Sequence, residues 1–178
     1  MNRKLAESQA KAEQRNSFEL HYGDRVLYRG KTYPITAKPG NRAGFDGISF
    51  WMPPGLPPAQ IMGACIQVYR LFARQVINEK VLAYAKRMNA KPSSIKINGA
   101  KTRWGSCSAQ RNLNFSWRLM MADDAVIDYV VVHELSHIVH MNHSAKFWSV
   151  VENVLPDYRM RQAELKKLQR CLSLENWE

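Results

Sequence analysis

The chain has 178 residues, of which 46% are hydrophobic and 23% charged, and this composition is that of an ordinary globular protein with a full core. Its 26 Lys and Arg against 15 Asp and Glu give a net charge of +11, which attracts polyanions and anionic substrates but does not indicate a fold. Three cysteines without a C-x-x-C pair, a polar start and only short apolar stretches exclude a disulfide framework, a signal peptide and a membrane span, so we expect a soluble, cytoplasmic protein.

The first third of the chain is predicted to form a leader and a small β-rich subdomain. Residues 1–17 lack a clear apolar face and are predicted to be a mobile leader. Residues 18–56 are predicted to form an N-terminal β-rich subdomain that contains a β-hairpin. Its strands are predicted at VLY (26–28), TYPI (32–35) and ISFWM (48–52), with Arg29-Gly30-Lys31 as the hairpin turn.

Residues 57–178 are predicted to form a second domain. It begins with one long helix or two shorter ones, for which Pro58 is a suitable start. A short strand follows at IKI (95–97), and LNFSWRL (113–119) alternates apolar and polar residues as a half-buried strand does. This second strand is predicted to pair, across the turn SAQRN, with the preceding segment TRWGSCS.

Three helices are predicted after the last strand. A pair of aspartates offers N-cap chemistry to a helix that begins near Ala125 and carries the sequence HELSH. A second helix is predicted from Ser144, and a third, which is basic and amphipathic, from about Tyr158. The order of strands, helix, strands and helices is typical of an α+β fold.

The stretch HELSHIVHMNHS, from His133 to Ser144, contains four of the five histidines of the chain. Residues four apart lie on the same face of a helix, so His133 and His137 can direct two imidazoles at one point. Zn²⁺ suits nitrogen ligands, and a catalytic zinc site takes three protein ligands and leaves one position for water. Glu134 projects beside this face, where it can take the proton of a metal-activated water. Histidines that merely pack at half-buried positions are the less favoured interpretation, because the motif lies on an apolar helix.

The sequence leaves the third metal ligand open. His140 lies on the same helical face as His133, but seven residues of rise place the two about 10 Å apart, too far for one tetrahedral ion. We favour His143, because MNHS supplies a turn that can bring the chain back toward the helix. Glu152 or Glu164 from a later helix would instead give a site with two histidines and one glutamate.

Several separated blocks of the chain resemble the YgjP-like zinc metallopeptidase family, whose wider relatives include the SprT and WLM-type proteases. The resemblance rests on HELSH with His143, on SAKFW and PDY, and on TRWGSCS and WRLMMADDAVIDYVVV, and it is dense from about residue 102 to residue 158. It implies a zincin-like fold in which a small mixed or antiparallel sheet packs on the motif helix, and a catalytic domain over residues 57–178. It also implies zinc bound by His133, His137 and His143, with Glu134 as the general base.

The segment TRWGSCS is predicted to form one wall of the substrate cleft. The strand nearest the motif helix of a zincin binds an extended peptide at the sheet edge. Gly105 would allow a close approach of backbone, Arg103 could meet a carboxylate or a phosphate, and Trp104 belongs either to this wall or to the core. Cys107 is expected to be a small buried residue and not a ligand or a switch thiol. Tyr158 is a weaker candidate for stabilising an oxyanion.

These features together predict a zinc-dependent hydrolase, namely a metallopeptidase that acts on peptide or protein substrates. The net charge of +11 and Arg103 motivate one alternative, a metal-dependent hydrolase of nucleotide phosphoanhydrides or other small anions. The basic helix after Tyr158 motivates another, a DNA-associated protease-like protein that binds nucleic acid through this surface.

Overall fold

The computed structural model describes residues 2–177, and over this range the chain folds into helices and short strands of an α+β protein, as predicted. The helices are α1 (Asn2–Asn16), α2 (Pro58–Arg87), α3 (Asp124–Ser136), α4 (Ala145–Val154) and α5 (Tyr158–Leu172). The strands are β1 (Arg25–Tyr28), β2 (Lys31–Ala37), β3 (Gly44–Phe45), β4 (Phe50–Met52), β5 (Ser94–Asn98), β6 (Gly105–Cys107) and β7 (Asn112–Ser116). Among the described residues no helix is both long and apolar enough to cross a lipid bilayer.

The described chain divides into two compact units. One unit consists of Leu27–Lys31 and Tyr69–Glu164, and the other contains the remaining described residues. The long helix α2 contributes to both units. The domain boundaries after residues 17 and 56 remain predictions.

The unit made of residues 2–26, 32–68 and 165–177 contains most of the N-terminal strands. They form a four-stranded sheet in the order β1-β2-β4-β3, in which β2 is parallel and β3 antiparallel to β4. Ile35 on β2 is paired with Phe50 on β4, and both side chains are buried. Helix α1 occupies the stretch for which the sequence predicts a mobile leader. Its described side chains are exposed, and its mobility remains a prediction.

The unit made of Leu27–Lys31 and Tyr69–Glu164 contains a three-stranded mixed sheet in the order β5-β7-β6. Strand β5 runs parallel to the central strand β7, and β6 runs antiparallel to it, so β6 is an edge strand. Helix α3 packs against β6. The structure therefore contains the small mixed sheet on the motif helix, and the helices after it, that the sequence predicts.

The strand predicted over residues 113–119 is wrong in its second half. Strand β7 ends at Ser116, and a 3-10 helix follows over Trp117–Met121. The Ser116 hydroxyl caps this helix by accepting a hydrogen bond from the backbone N–H of Arg118. All five residues of the 3-10 helix are buried, so the alternation read from the sequence does not separate a core face from a solvent face. A strand and a fully buried short helix give similar patterns over so few residues.

Candidate metal centre

Helix α3 carries two of the predicted ligands on successive turns. Asp123 caps its N-terminus, with its carboxylate accepting hydrogen bonds from the backbone N–H groups of Ala125 at 2.8 Å and Val126 at 3.2 Å. The helix is buried on most of its surface, as its run of valines predicts. His133 lies in its last turn and His137 is its C-cap residue. The two histidines, four residues apart, therefore lie on successive turns, as the sequence predicts.

The chain turns back directly after His137. The backbone N–H groups of Val139 and His140 both donate to the carbonyl of Ser136, which closes the end of the helix. Six residues after His137, His143 precedes Ser144, whose hydroxyl accepts a hydrogen bond from the N–H of Phe147 and so caps α4. The predicted turn is therefore present, and it carries His143 back toward α3.

The three histidines His133, His137 and His143 converge. One ring nitrogen from each lies within 4.8 Å of those of the other two. The Nε2 atoms of His133 and His143 are 3.0 Å apart. Among the described residues this is the cluster of His, Cys, Asp and Glu whose donor atoms could hold a metal ion. His140, Glu152 and Glu164 are outside it.

The geometry of the cluster fits a tetrahedral metal ion. Two nitrogens that are each about 2.0–2.1 Å from one tetrahedral zinc ion lie about 3.3 Å apart, close to the separation of the Nε2 atoms of His133 and His143. The Nδ1 atom of His137 lies 3.2 Å from the carbonyl oxygen of His140, to which it donates. Such a hydrogen bond fixes the tautomer and leaves the Nε2 lone pair of His137 for a ligand.

The second ring nitrogen of His133 argues against a purely structural role. Its Nδ1 atom is buried and has no hydrogen-bond partner among the residues that the structure describes. A buried polar atom without a partner costs about 1–3 kcal/mol. A histidine retained only for packing would be disfavoured at this position, whereas the binding free energy of a metal held at Nε2 would offset the cost of the unpartnered Nδ1.

Two of the imidazoles are kept neutral by their surroundings. Burial, followed by repulsion from His137 and His143, lowers the pKa of His133 to about 3. Burial also lowers the pKa of His137, although the hydrogen bond to the carbonyl of His140 opposes this shift. Because only neutral imidazole has a lone pair to donate, both groups are ready to bind a metal at neutral pH.

Glu134 directly follows His133 on α3, with 6% of its surface exposed. Burial raises the pKa of its carboxyl group to about 8, and the positive charge of Arg103 opposes the shift. A carboxyl group whose pKa lies near neutrality can both accept and release a proton under physiological conditions. A cation held by the histidines would lower this pKa and favour the carboxylate form that a general base requires.

The residues predicted to line the substrate cleft occupy different environments. Arg103 is exposed, and Trp104 is half-buried, with its carbonyl accepting a hydrogen bond from the N–H of Ser116 at 2.9 Å. Gly105 begins β6 and lies against the side chain of Glu134. Tyr158 is buried, and its ring stacks on Trp148 with the centroids 5.3 Å apart. Their roles toward a substrate remain predictions.

Cys107 is half-buried and unpaired, and burial, followed by the charge of Glu134, raises the pKa of its thiol. A raised pKa keeps the thiol protonated and weakens it as a nucleophile or a ligand. It is outside the cluster of three histidines. The sequence predicts a small buried residue, whereas the structure leaves Cys107 half-buried; that it is neither a ligand nor a switch thiol remains a prediction.

Phe147 is a residue of the site for which the sequence predicts no role. Its ring, which is fully buried, contacts the rings of all three histidines, with centroid distances of 5.0 Å to His133, 4.6 Å to His137 and 4.8 Å to His143. Trp148 stacks on His143 at 5.7 Å. The available signal was the position of Phe147, one helical turn after the third histidine.

A cavity of about 480 Å³ in the other unit is lined in part by Arg42, Gln60 and Gly63. No His, Cys, Asp or Glu contributes to its lining. The cavity therefore lacks the donor atoms of a transition-metal site, whereas the histidine cluster has them.

The chain is similar to a known protein family and to two solved structures. A family profile described as "YgjP-like, metallopeptidase domain" matches residues 1–168. Among solved structures, the metallopeptidase zymogen abylysin of Pyrococcus abyssi is 18% identical, with a TM-score of 0.48 over 57% of this chain and 98% of its own. The metallopeptidase zymogen jannalysin of Methanocaldococcus jannaschii is 26% identical, with a TM-score of 0.45 over 53% of this chain and 96% of its own.

No functionally curated protein matches the chain. The family profile, however, extends over nearly the whole sequence and covers both the motif helix and the segments around it. It confirms the predicted resemblance and, with it, a hydrolase that uses a catalytic metal. The chain belongs to the YgjP-like metallopeptidase family.

Proposed function

We propose that the protein is a zinc-dependent peptidase in which His133, His137 and His143 hold the metal and Glu134 is the general base. The observation that carries this proposal is the convergence of three imidazole nitrogens within 4.8 Å beside a buried carboxyl group. A set of three imidazole nitrogen donors suits Zn²⁺ better than the hard cations Mg²⁺ and Ca²⁺, which prefer oxygen. When bound, zinc supplies a Lewis acid that polarises a substrate carbonyl and acidifies water.

Glu134 and Phe147 have different roles in hydrolysis. Glu134 takes a proton from the attacking water as the water oxygen bonds to the peptide carbonyl carbon. When the C–N bond breaks, Glu134 returns this proton to the nitrogen of the leaving amine. Phe147, which contacts all three imidazoles, keeps bulk water from the ligand side of the site.

Strand β6 is the proposed binding edge for the substrate. It is an edge strand of its sheet, and it contacts helix α3, which carries His133 and Glu134. An extended peptide that pairs with this edge would place its backbone next to the metal centre. Arg103, exposed just before β6, would then be available to a carboxylate of the substrate.

We assign the protein to the cytoplasm on the basis of its cysteines. Cys65, Cys107 and Cys171 are all unpaired. Free thiols of this kind are usual in a reducing compartment and rare in secreted proteins. Location of an epitope-tagged protein by cell fractionation tests this assignment.

The central experiment compares the wild-type protein with Glu134→Gln. The amide is nearly isosteric but cannot accept the proton, so the variant should keep its metal and lose turnover by about 10²–10⁴-fold. Metal content is measured by mass spectrometry and hydrolysis with a fluorogenic peptide library. Unchanged hydrolysis by Glu134→Gln would refute the assigned base.

The same preparations decide between substrate classes. The net charge of +11 favours anionic partners and keeps nucleotides and nucleic acid open as alternatives. Release of phosphate from nucleoside triphosphates that disappears in Glu134→Gln would replace the peptidase proposal with a phosphoanhydride hydrolase. Binding to duplex DNA that weakens steeply between 50 and 200 mM salt would instead support the DNA-associated alternative.

A further inference from the structure

Gly105, at the start of β6, has no room for a side chain. A Cβ atom built on its backbone would lie 2.6 Å from Oε1 of Glu134, 2.7 Å from its Cγ and 2.9 Å from its Cδ. Real Cβ atoms essentially never approach other heavy atoms this closely. The side chain of Glu134 therefore lies directly against the backbone of the strand, in space that only glycine leaves free.

The requirement for glycine at this position is one of space and not of backbone conformation. Gly105 is not among the glycines with a positive φ, in contrast to Gly30 and Gly55. Alanine could therefore adopt the backbone conformation of Gly105 without strain. Any cost of Gly105→Ala must come from its contact with Glu134, which makes the substitution a specific probe of that contact.

The strand cannot retreat easily from the helix. Gly105 pairs with Phe115 on β7, and β7 pairs with β5 on its other side. The N–H of Ser116 also donates to the carbonyl of Trp104, at 2.9 Å. Phe115 itself is fully buried. A displacement of β6 would therefore disturb a hydrogen-bonded sheet and its packed core.

The helix is equally constrained on the other side of the contact. Val131, Val132 and Leu135 surround Glu134 in sequence and are fully buried. Rigid elements on both sides thus fix the width of the gap that contains the carboxyl group. The side chain of Glu134 is the most compliant part of this contact, so it is the part that a methyl group on Gly105 would move.

Packing is the main restraint on the Glu134 side chain. Burial raises the pKa of its carboxyl group and the charge of Arg103 opposes the shift, with no contribution from a hydrogen bond. Cys107, two residues after Gly105 and on the same face of β6, lies close enough for the charge of Glu134 to affect its pKa. The inner face of β6 therefore forms the surface against which the carboxyl group rests.

We propose that Gly105 is a positioning residue, which lets the carboxyl group of Glu134 lie flat against β6 and fixes its place beside the three histidines. This inference rests on the proposed function, in which Glu134 is the base. It differs from the role in binding the substrate backbone that the sequence suggests for Gly105. A methyl group at position 105 displaces the carboxyl group, while the three imidazoles keep their positions.

Kinetics and metal binding of Gly105→Ala provide the first test. A displacement of the base by about 1 Å should lower kcat by about 100-fold. Metal affinity, measured by chelator competition, and KM should change by less than about threefold, because the added methyl group points at Glu134 and leaves the imidazoles and the backbone hydrogen-bonding groups of the β6 edge unaltered. Gly63→Ala is the matched control, since an added Cβ at Gly63 on α2 would have no atom within 4 Å apart from its own chain neighbours and helix backbone. It should keep full kcat.

A double-mutant cycle in thermal stability provides a second test that does not depend on activity. Overpacking should lower the melting temperature of Gly105→Ala by about 5 °C. In the Glu134→Ala background the opposing side chain is gone, so the same substitution should lower the melting temperature by less than about 1 °C. If Gly105→Ala does not fold, recovery of folding in the double variant supports the proposal.

Three outcomes would overturn the proposal. They are wild-type kcat in Gly105→Ala, an equal loss of melting temperature in both backgrounds, and failure of both Gly105→Ala and the double variant to fold. Failure of this proposal can be distinguished from failure of the proposed function.

If Glu134→Gln retains hydrolysis, the assignment of Glu134 as the base fails, although the coupling in stability between positions 105 and 134 can persist. If Glu134→Gln is inactive but the coupling is absent, only the positioning role of Gly105 fails.

Discussion

The Nε2 atoms of His133 and His143 lie 3.0 Å apart, although nine residues separate them in the chain. Two neutral imidazole nitrogens at this distance can share one hydrogen, but they can also share one cation. The second possibility explains why His137 joins them with its own nitrogen within 4.8 Å. The turn after α3 is thus the element that converts a two-histidine motif into a three-donor site.

Substitution of His143 should remove the metal, whereas substitution of His140 should not. Loss of a hydrogen-bonding partner of a ligand costs about 10–100-fold in metal affinity, so loss of a direct ligand should cost more than about 100-fold. His143→Ala should therefore lose its zinc on dialysis against a weak chelator. His140→Ala keeps the backbone carbonyl that accepts from His137, and it should keep its zinc. Equal zinc content in the two variants, measured by mass spectrometry, would contradict this ligand assignment.

Metal binding should raise the stability of the folded protein. A ligand that binds only the folded state at 100 times its Kd adds about 2.7 kcal/mol, which corresponds to several degrees in melting temperature for a chain of this size. Thermal melts with chelator and with excess zinc measure this difference. The shift should be lost in His143→Ala and retained in Glu134→Gln. A wild-type melting temperature that is the same under both conditions would count against the site.

The local features of the motif helix could be predicted from the sequence because each depends on neighbouring residues. Asp123 as N-cap, the buried run of valines and the i, i+4 spacing of His133 and His137 all follow from helix geometry. The position of His143 near α3 could also be predicted, because only a turn of a few residues separates it from the end of the helix. Features of this kind depend little on contacts with distant segments of the fold.

The features that the sequence did not reveal depend on contacts between distant segments. The contact of Gly105 with Glu134 exists because β6 packs on α3, and nothing in either segment specifies the distance between them. The contacts of Phe147 with three imidazoles likewise depend on how α4 returns to α3. The 3-10 helix that starts at Trp117 was missed because burial on all sides hides the period of the pattern.

Truncation of Phe147 should weaken both the fold and the metal site. The side chain is fully buried against three imidazoles, and Phe→Ala at such positions costs about 3–5 kcal/mol. Urea denaturation measures this loss, and chelator competition measures the accompanying fall in zinc affinity. Val151→Ala is the matched control, because Val151 is equally buried one turn further along α4. It should lose stability while keeping most of its zinc affinity. Equal losses of affinity in both variants would show that general packing, and not contact with the ligands, is responsible.

The pair of Arg29 and Asp124 should contribute an acid-sensitive part of the stability. The guanidinium donates to both carboxylate oxygens, at 2.9 Å and 2.5 Å. Partial burial acts to raise the pKa of Asp124, but the hydrogen bond from Arg29 and the charges of Lys80 and Arg29 outweigh it, so the pKa lies below 3.8. A carboxyl group with a lowered pKa in the folded state stabilises the fold above its unfolded pKa, and this contribution is lost as the pH falls through the folded value.

Asp124→Asn should therefore cost stability at pH 7 and cost progressively less below about pH 4. The side chain of Asp124 is 49% exposed, so solvent screening limits the loss at pH 7 to under about 1 kcal/mol. Urea denaturation of the wild type and the variant between pH 2.5 and pH 7 measures the difference. Arg29→Gln should reproduce the loss, since it removes the same pair from the other side, and high salt should reduce it in both. A difference between wild type and Asp124→Asn that stays constant over the whole pH range would show that the pair does not titrate with folding.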